Sequence, residues 1–116
     1  MTKARLYVCS IPLKTQWTKI GYSANPERRL KDIFGSDLLL TVDYKIFNVT
    51  STEHDASSLE RAWKQTLKPF RVKRSLVCKH NQMIERIVPH TEVFKLSLDN
   101  LLLDLDDLVD KHTTLY

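Results

Sequence analysis

Glycine is almost missing from this chain: two residues, Gly21 and Gly35, in 116. No glycine-rich loop can cradle a nucleotide phosphate, and neither a nucleophile elbow nor a zinc-protease motif is present. Four prolines leave no Pro-rich linker and no low-complexity tract. Two cysteines, Cys9 and Cys78, are too few for a disulfide scaffold. No apolar run approaches the roughly 18 residues of a membrane span. The opening Met1-Thr2-Lys3-Ala4-Arg5 leads into a strand pattern and lacks the apolar stretch of a signal peptide. At 116 residues the chain supports one core. Repeat arrays, eight-fold βα barrels and two-domain enzymes are excluded. The expectation is one intracellular domain over residues 1–116 with no membrane partner.

The charge is unevenly distributed. Residues 61–90 carry Arg61, Lys64, Lys68, Arg71, Lys73, Arg74, Lys79 and Arg86 against one acid, Glu85. Residues 92–111 carry six acids against Lys95 and Lys111. A basic stripe is the footprint of a polyanionic partner, though a solvated face and loop produce the same composition.

Arg5 to Ser10 and Trp17 to Tyr22 alternate and are rich in β-formers, so they read as an antiparallel hairpin. Asn25-Pro26-Glu27 reads as a helix start, with Asn25 capping and Pro26 at the first helical position. That helix is expected to stop near Gly35. Leu38 to Val49 holds a third strand. Thr52 to Asp55 opens a longer helix through about Leu67, with Ala56, Leu59, Trp63 and Leu67 at helical spacing. Residues 71–91 have no period and read as a basic connection. Thr91 to Leu96 reads as a short strand and Leu98 to Val109 as a final amphipathic helix. The fold expected is α+β: a small antiparallel three-stranded sheet, the hairpin plus the third strand, packed by helices, with a short C-terminal strand and helix.

A strand period of two places Tyr7 and Lys19 on one side of the hairpin. Arg29 lies one turn into the first helix, and Glu60 lies mid-way along the second. A carboxylate can hold a divalent metal, a guanidinium can offset charge on a phosphorane, and a phenol or amine can help deprotonate water. Each has a plainer reading. Tyr7 can be a strand aromatic, Lys19 a solvent-facing lysine, and Arg28 and Arg29 a solvated helix face. Glu60 can pair with Lys64 at i, i+4. Trp17 and Trp63 read as core packing. His54 falls on a different helix face from Glu60. Cys78-Lys79-His80, with His90, lacks the paired ligand spacing of a structural zinc site.

Arg5-Leu6-Tyr7, and Lys19-Ile20-Gly21 running through Arg28-Arg29-Leu30, resemble the two hairpin motifs and arginine helix of the GIY-YIG nucleases, especially their compact phage-type branch. Leu59-Glu60-Arg61-Ala62-Trp63 resembles that family's glutamate helix, and Glu92 to Leu96 its compact terminal strand. Lysine replaces the second motif's tyrosine here, as it does in the compact branch, and Trp63 stands where that branch often has histidine. The resemblance implies a metal-dependent DNA endonuclease. Its site residues would be Tyr7, Lys19, Arg29 and Glu60, with Glu60 holding Mg²⁺ or Mn²⁺. Arg28, Arg71, Lys73, Arg74 and Lys79 are the candidate DNA contacts. Specificity would come from the basic connection, a homo-oligomer or a protein partner. The alternative is a non-catalytic factor on the same scaffold that binds DNA or a host protein.

Overall fold

Both sets of side chains on the alternating first strand find a core, because the sheet is covered on both faces. The computed structural model describes residues 4–11, 14–73 and 92–116. Strand β1 (Arg5–Ile11) pairs antiparallel with β2 (Lys14–Ser23), placing Tyr7 opposite Gly21, Val8 opposite Ile20 and Cys9 opposite Lys19. Leu6, Val8 and Ile20 pack with Leu59, Trp63 and Leu67 from helix α2 (Ala56–Thr66) and its C-cap. Tyr7, Cys9, Ile11 and Trp17 pack with Leu30 and Phe34 of helix α1 (Pro26–Leu39). Trp63 is fully buried and meets Phe47 edge-on at 5.9 Å. Both tryptophans are core, as read from the sequence. Each fully buried leucine here contributes about 1.5–3 kcal/mol. An i, i+4 ion pair on a helix contributes about 0.3–0.5 kcal/mol. Helix α2 is therefore held by Leu59, Trp63 and Leu67, which frees its charged residues for other work.

Among the described residues the sheet has five strands, not three: β3 (Tyr44–Val49) lies beside β1, β4 (Val93–Phe94) beside β2, and β5 (Thr113–Leu115) beside β3, in the order β4-β2-β1-β3-β5. Strand β4 is the short strand expected within Thr91 to Leu96, here an edge of the sheet, and β5, at three residues, is too short to show a period of two. They are defined by backbone pairing to distant segments. Two further backbone bonds tie Phe70–Val72 to β4: Val72 N–H to Val93 O at 2.9 Å and Lys95 N–H to Phe70 O at 2.7 Å, flanking an Arg71–Phe94 bridge.

Two helix expectations need correction. Helix α1 does not end at Gly35. That residue takes φ 77°, ψ 163° and kinks the helix, which resumes to Leu39. Only glycine adopts this backbone freely. The helix resumes because Ile33, Leu38 and Leu39 pack against the same core as Phe34. Leu38 and Leu39 are thus helical, and β3 begins only at Tyr44. The final helix is two: α3 (Leu98–Asp104) and α4 (Asp106–His112), joined at the buried Leu105. Asn25 and Asp55 cap α1 and α2 as their positions suggest, accepting from Arg28 N–H and Ser58 N–H. Hydrogen bonds from Ser58, its backbone N–H foremost, hold the Asp55 carboxyl below the usual carboxylate range. Cys9 is a free thiol that burial pushes up to about 12, against the pull of the nearby Lys19 charge. It is a packing residue with no reactive thiolate at neutral pH. Among the described residues no helix is long and apolar enough to cross a membrane.

Candidate active site

Gly21 faces Tyr7 across the hairpin, and the missing side chain decides what the strands can build. The Tyr7 ring occupies the space a Cβ would take. A Cβ on Gly21 would stand 2.4 Å from the Tyr7 ring carbon Cζ and its oxygen, and 2.9 Å from Lys19 Nζ. Across that gap Lys19 Nζ donates to Tyr7 Oη at 2.9 Å. The ammonium also lies 4.7 Å from the Tyr7 ring centroid. Gly21→Ala is therefore expected to destabilise the fold by about 1–3 kcal/mol, the range for overpacking a tight site. It should also separate Lys19 from Tyr7. Urea unfolding gives the first effect; a melt as high as the wild type's would show that the ring moves aside freely.

Lys19 is 3% exposed and Tyr7 2%. A lysine this deep is not the solvent-facing residue that an isolated strand position suggests. A buried charge needs partners, and Glu92 Oε2 supplies one at 3.0 Å. Burial works to lower the Lys19 pKa, but Tyr7 and Glu92 together outweigh it, and the net direction is up. Lys19 is thus an ammonium at neutral pH. It can donate and offset charge, but it cannot serve as a general base there.

Tyr7, Lys19, Arg29 and Glu60 line one cleft of about 510 Å³ with Glu92 and Tyr22. They arrive from β1, β2, α1 and α2. Arg29 is exposed within it; Arg28 is exposed and does not line it. Glu60 Oε1 accepts from Lys64 Nζ at 2.7 Å, the i, i+4 pair anticipated from spacing. Lys64 also stands 3.6 Å from Glu92 Oε1, so its ammonium sits between two carboxylates. That observation tests the fit of a cation. Glu60 and Glu92 already hold positive charge between them, and oxygen donors suit Mg²⁺ or Mn²⁺. A second groove of about 410 Å³ adjoins the cleft through Tyr22 and Glu60, and Lys64 lines it. Arg61, Lys68 and Arg71 line the same groove.

Of the candidate DNA contacts, Arg71 lies in this groove. Lys73 is exposed but does not line it, and Arg74 and Lys79 lie outside the described residues. The Cys78, His80 and His90 set lies outside them too. Glu92 is the residue that sequence reasoning missed, and with it the second carboxylate beside Lys64. Glu92 reads only as the start of a strand; the Lys19–Val93 register of β4 on β2 carries it to the site.

The chain matches the model of the T5orf172 domain over residues 4–110. It belongs to that family, a phage-associated domain related to nuclease-type folds. The family is consistent with a nuclease-like or DNA-binding role. No curated protein and no solved structure matches the chain.

Proposed function

We propose that this member of the T5orf172 domain family is a divalent-metal-dependent DNA endonuclease of the GIY-YIG type. One observation carries the reading: a phenol, two cations and a carboxylate from four separate segments line a single cleft beside a cationic groove. Unrelated surface residues have no reason to converge. Glu60, with Glu92 close by, is the ligand for Mg²⁺ or Mn²⁺. A bound ion would supply neutralisation of the scissile phosphate and of the leaving oxygen. Tyr7 Oη orients the attacking water, which releases its proton to solvent. The Lys19 ammonium, fixed by Glu92, holds that oxygen in place and offsets negative charge developing on the nucleophile beside it. Arg29 offsets the charge of the pentavalent transition state. The strand passing through the cleft continues along Arg61, Lys68 and Arg71, which contact phosphates and read no bases. Sequence preference is left to the segment after Arg71, to a second copy or to a partner protein. The setting is the interior of a cell, where the DNA is.

The second reading, a non-catalytic DNA- or host-protein-binding factor, is favoured by one contact. Lys64 neutralises Glu60 from within the chain. Supercoiled plasmid incubated with the protein in Mg²⁺ or Mn²⁺, and in parallel with chelator, separates the two. Nicking that needs the ion supports the enzyme. Retarded but intact plasmid in both leaves the binding factor.

The groove makes a separate prediction. Removing one phosphate-binding cation lowers the slope of log affinity against log salt by about 0.9 on duplex DNA. Replacing Arg61, Lys68 and Arg71 with glutamine is expected to lower it by about 2–3. A slope equal to the wild type's would move the DNA interface elsewhere on the molecule.

A further inference from the structure

Away from the cleft, the turn that leads into α2 meets the end of α4. Glu53, His54 and His112 each bring one potential ligand atom to this junction, all within 4.8 Å of one another. Glu53 and His54 are consecutive, His112 comes from near the other end of the described chain, and none of them lines the cleft or its groove. The His54 and His112 rings stand edge to face with centroids 5.0 Å apart. His112 is 6% exposed, so one imidazole is held inside the protein. Its Nδ1 pairs with Ser51 Oγ at 3.0 Å, which leaves Nε2 to bind. The same Ser51 oxygen accepts the backbone N–H groups of Glu53 and His54 at 3.0 and 3.1 Å. The His112 carbonyl accepts Thr50 N–H and Ser51 N–H at 2.9 and 3.1 Å. The backbone carrying all three side chains is thus fixed before any ion arrives. A recess of about 310 Å³, lined by Ser51, His54 and Val49 among others, opens beside it.

We propose that Glu53, His54 and His112 form a transition-metal site, with Zn²⁺ as the best-fitting ion. Two imidazoles and one carboxylate are a borderline-soft donor set that suits Zn²⁺ and disfavours Mg²⁺. Tetrahedral bonds of about 2.0–2.1 Å place ligand atoms about 3.3 Å apart. The required contraction falls on the exposed Glu53 and half-buried His54, which can turn, and not on the buried His112. With an ion on Nε2, the His112 Nδ1–H would have to donate to Ser51 Oγ, the direction in which metal-bound histidines use their second nitrogen. Three protein ligands leave a fourth position for water on the side of the recess. The ion would join the start of α2 to the end of α4 and so to β5, two segments held together here by hydrogen bonds. The site is independent of the endonuclease reading, and its ion differs in kind.

The test uses the full chain, stripped of metal, with Zn²⁺ and Co²⁺ as probes. Calorimetry is expected to show one Zn²⁺ per chain. Co²⁺ is expected to give the strong visible bands of a tetrahedral site, and saturating Zn²⁺ to raise the melting temperature by several degrees, since the ion binds the folded form. Glu53→Gln and His54→Gln alter accessible side chains and spare the core. Each is expected to weaken Zn²⁺ at least tenfold and to remove the melting shift. Glu60→Gln is expected to leave Zn²⁺ binding unchanged. A combined Cys78→Ser, His80→Gln, His90→Gln chain is the control for the remaining donors. The proposal is overturned if Zn²⁺ binding survives His54→Gln, if it is lost in the control chain instead, or if no Zn²⁺ binds the wild type.

Discussion

Glu60→Gln is expected to lower Mg²⁺-dependent cleavage by about 1000-fold while leaving the fold standing. A bound ion contributes several kcal/mol of transition-state stabilisation, and about 1.4 kcal/mol is worth a factor of ten. Glutamine keeps the shape and an oxygen that can still accept from Lys64, but it removes the charge that holds the ion. The fold has little to lose. The Glu60 side chain retains 14% of its exposure, and the Leu59–Trp63–Leu67 stripe, not the ion pair, anchors α2. DNA binding should be kept or slightly strengthened, because one negative charge near the phosphates is gone. Melting curves with and without Mg²⁺ give a second readout. The wild type is expected to rise with Mg²⁺ and the variant to stay flat. A Mg²⁺-induced rise that persists in Glu60→Gln would falsify Glu60 as the ligand. Using Mg²⁺ here keeps the result apart from the histidine site, whose donors suit Zn²⁺.

Arg29→Ala is expected to cost about 100–1000-fold in cleavage, the usual loss when one transition-state donor is removed. Its stability should match the wild type within about 0.5 kcal/mol, since Arg29 is exposed and leaves no cavity behind. Substrate binding should weaken only slightly, with the loss concentrated in the rate of the chemical step. Arg28→Ala is the paired control. It shares the helix and the charge but does not line the cleft, so it should cleave within a few-fold of the wild type. Cleavage by Arg29→Ala within tenfold of normal would remove the residue from the mechanism.

The parts of this molecule that a reader could foresee are those written in local pattern. Alternation along Arg5–Ser10 separates Tyr7 from Leu6 and Val8, and the structure has them on opposite faces. The Asn25-Pro26-Glu27 start and the Leu59–Trp63 stripe are likewise local, as is the Glu60–Lys64 pair. The hidden parts depend on distant pairing or on tertiary override. Strand β5 has three residues and becomes a strand only because Thr113 to Leu115 bond to β3. The kink at Gly35 looks like a stop signal until the packing of Leu38 and Leu39 is seen. Lys19 looks like a surface lysine because nothing near it in sequence shows that Glu92 stands 3.0 Å away. Burying it depends on a residue that β4 delivers from the far end of the chain.

The ties between Phe70–Val72 and β4 bear on how the chain responds to a change of length. Glu92 is positioned by Val93 on β2 and by the two backbone bonds that flank the Arg71–Phe94 bridge. None of these ties involves residues 74–91. Once both ends of a segment are clamped, doubling its length costs only about 0.6 kcal/mol in closure entropy. The ties that place Glu92 therefore stand outside the stretch between Lys73 and Glu92, and a change of length there acts on them only through closure entropy. Variants carrying a doubled 74–91 stretch are expected to melt within about 1 kcal/mol of the parent, and a larger loss would show that the stretch helps hold β4 in place.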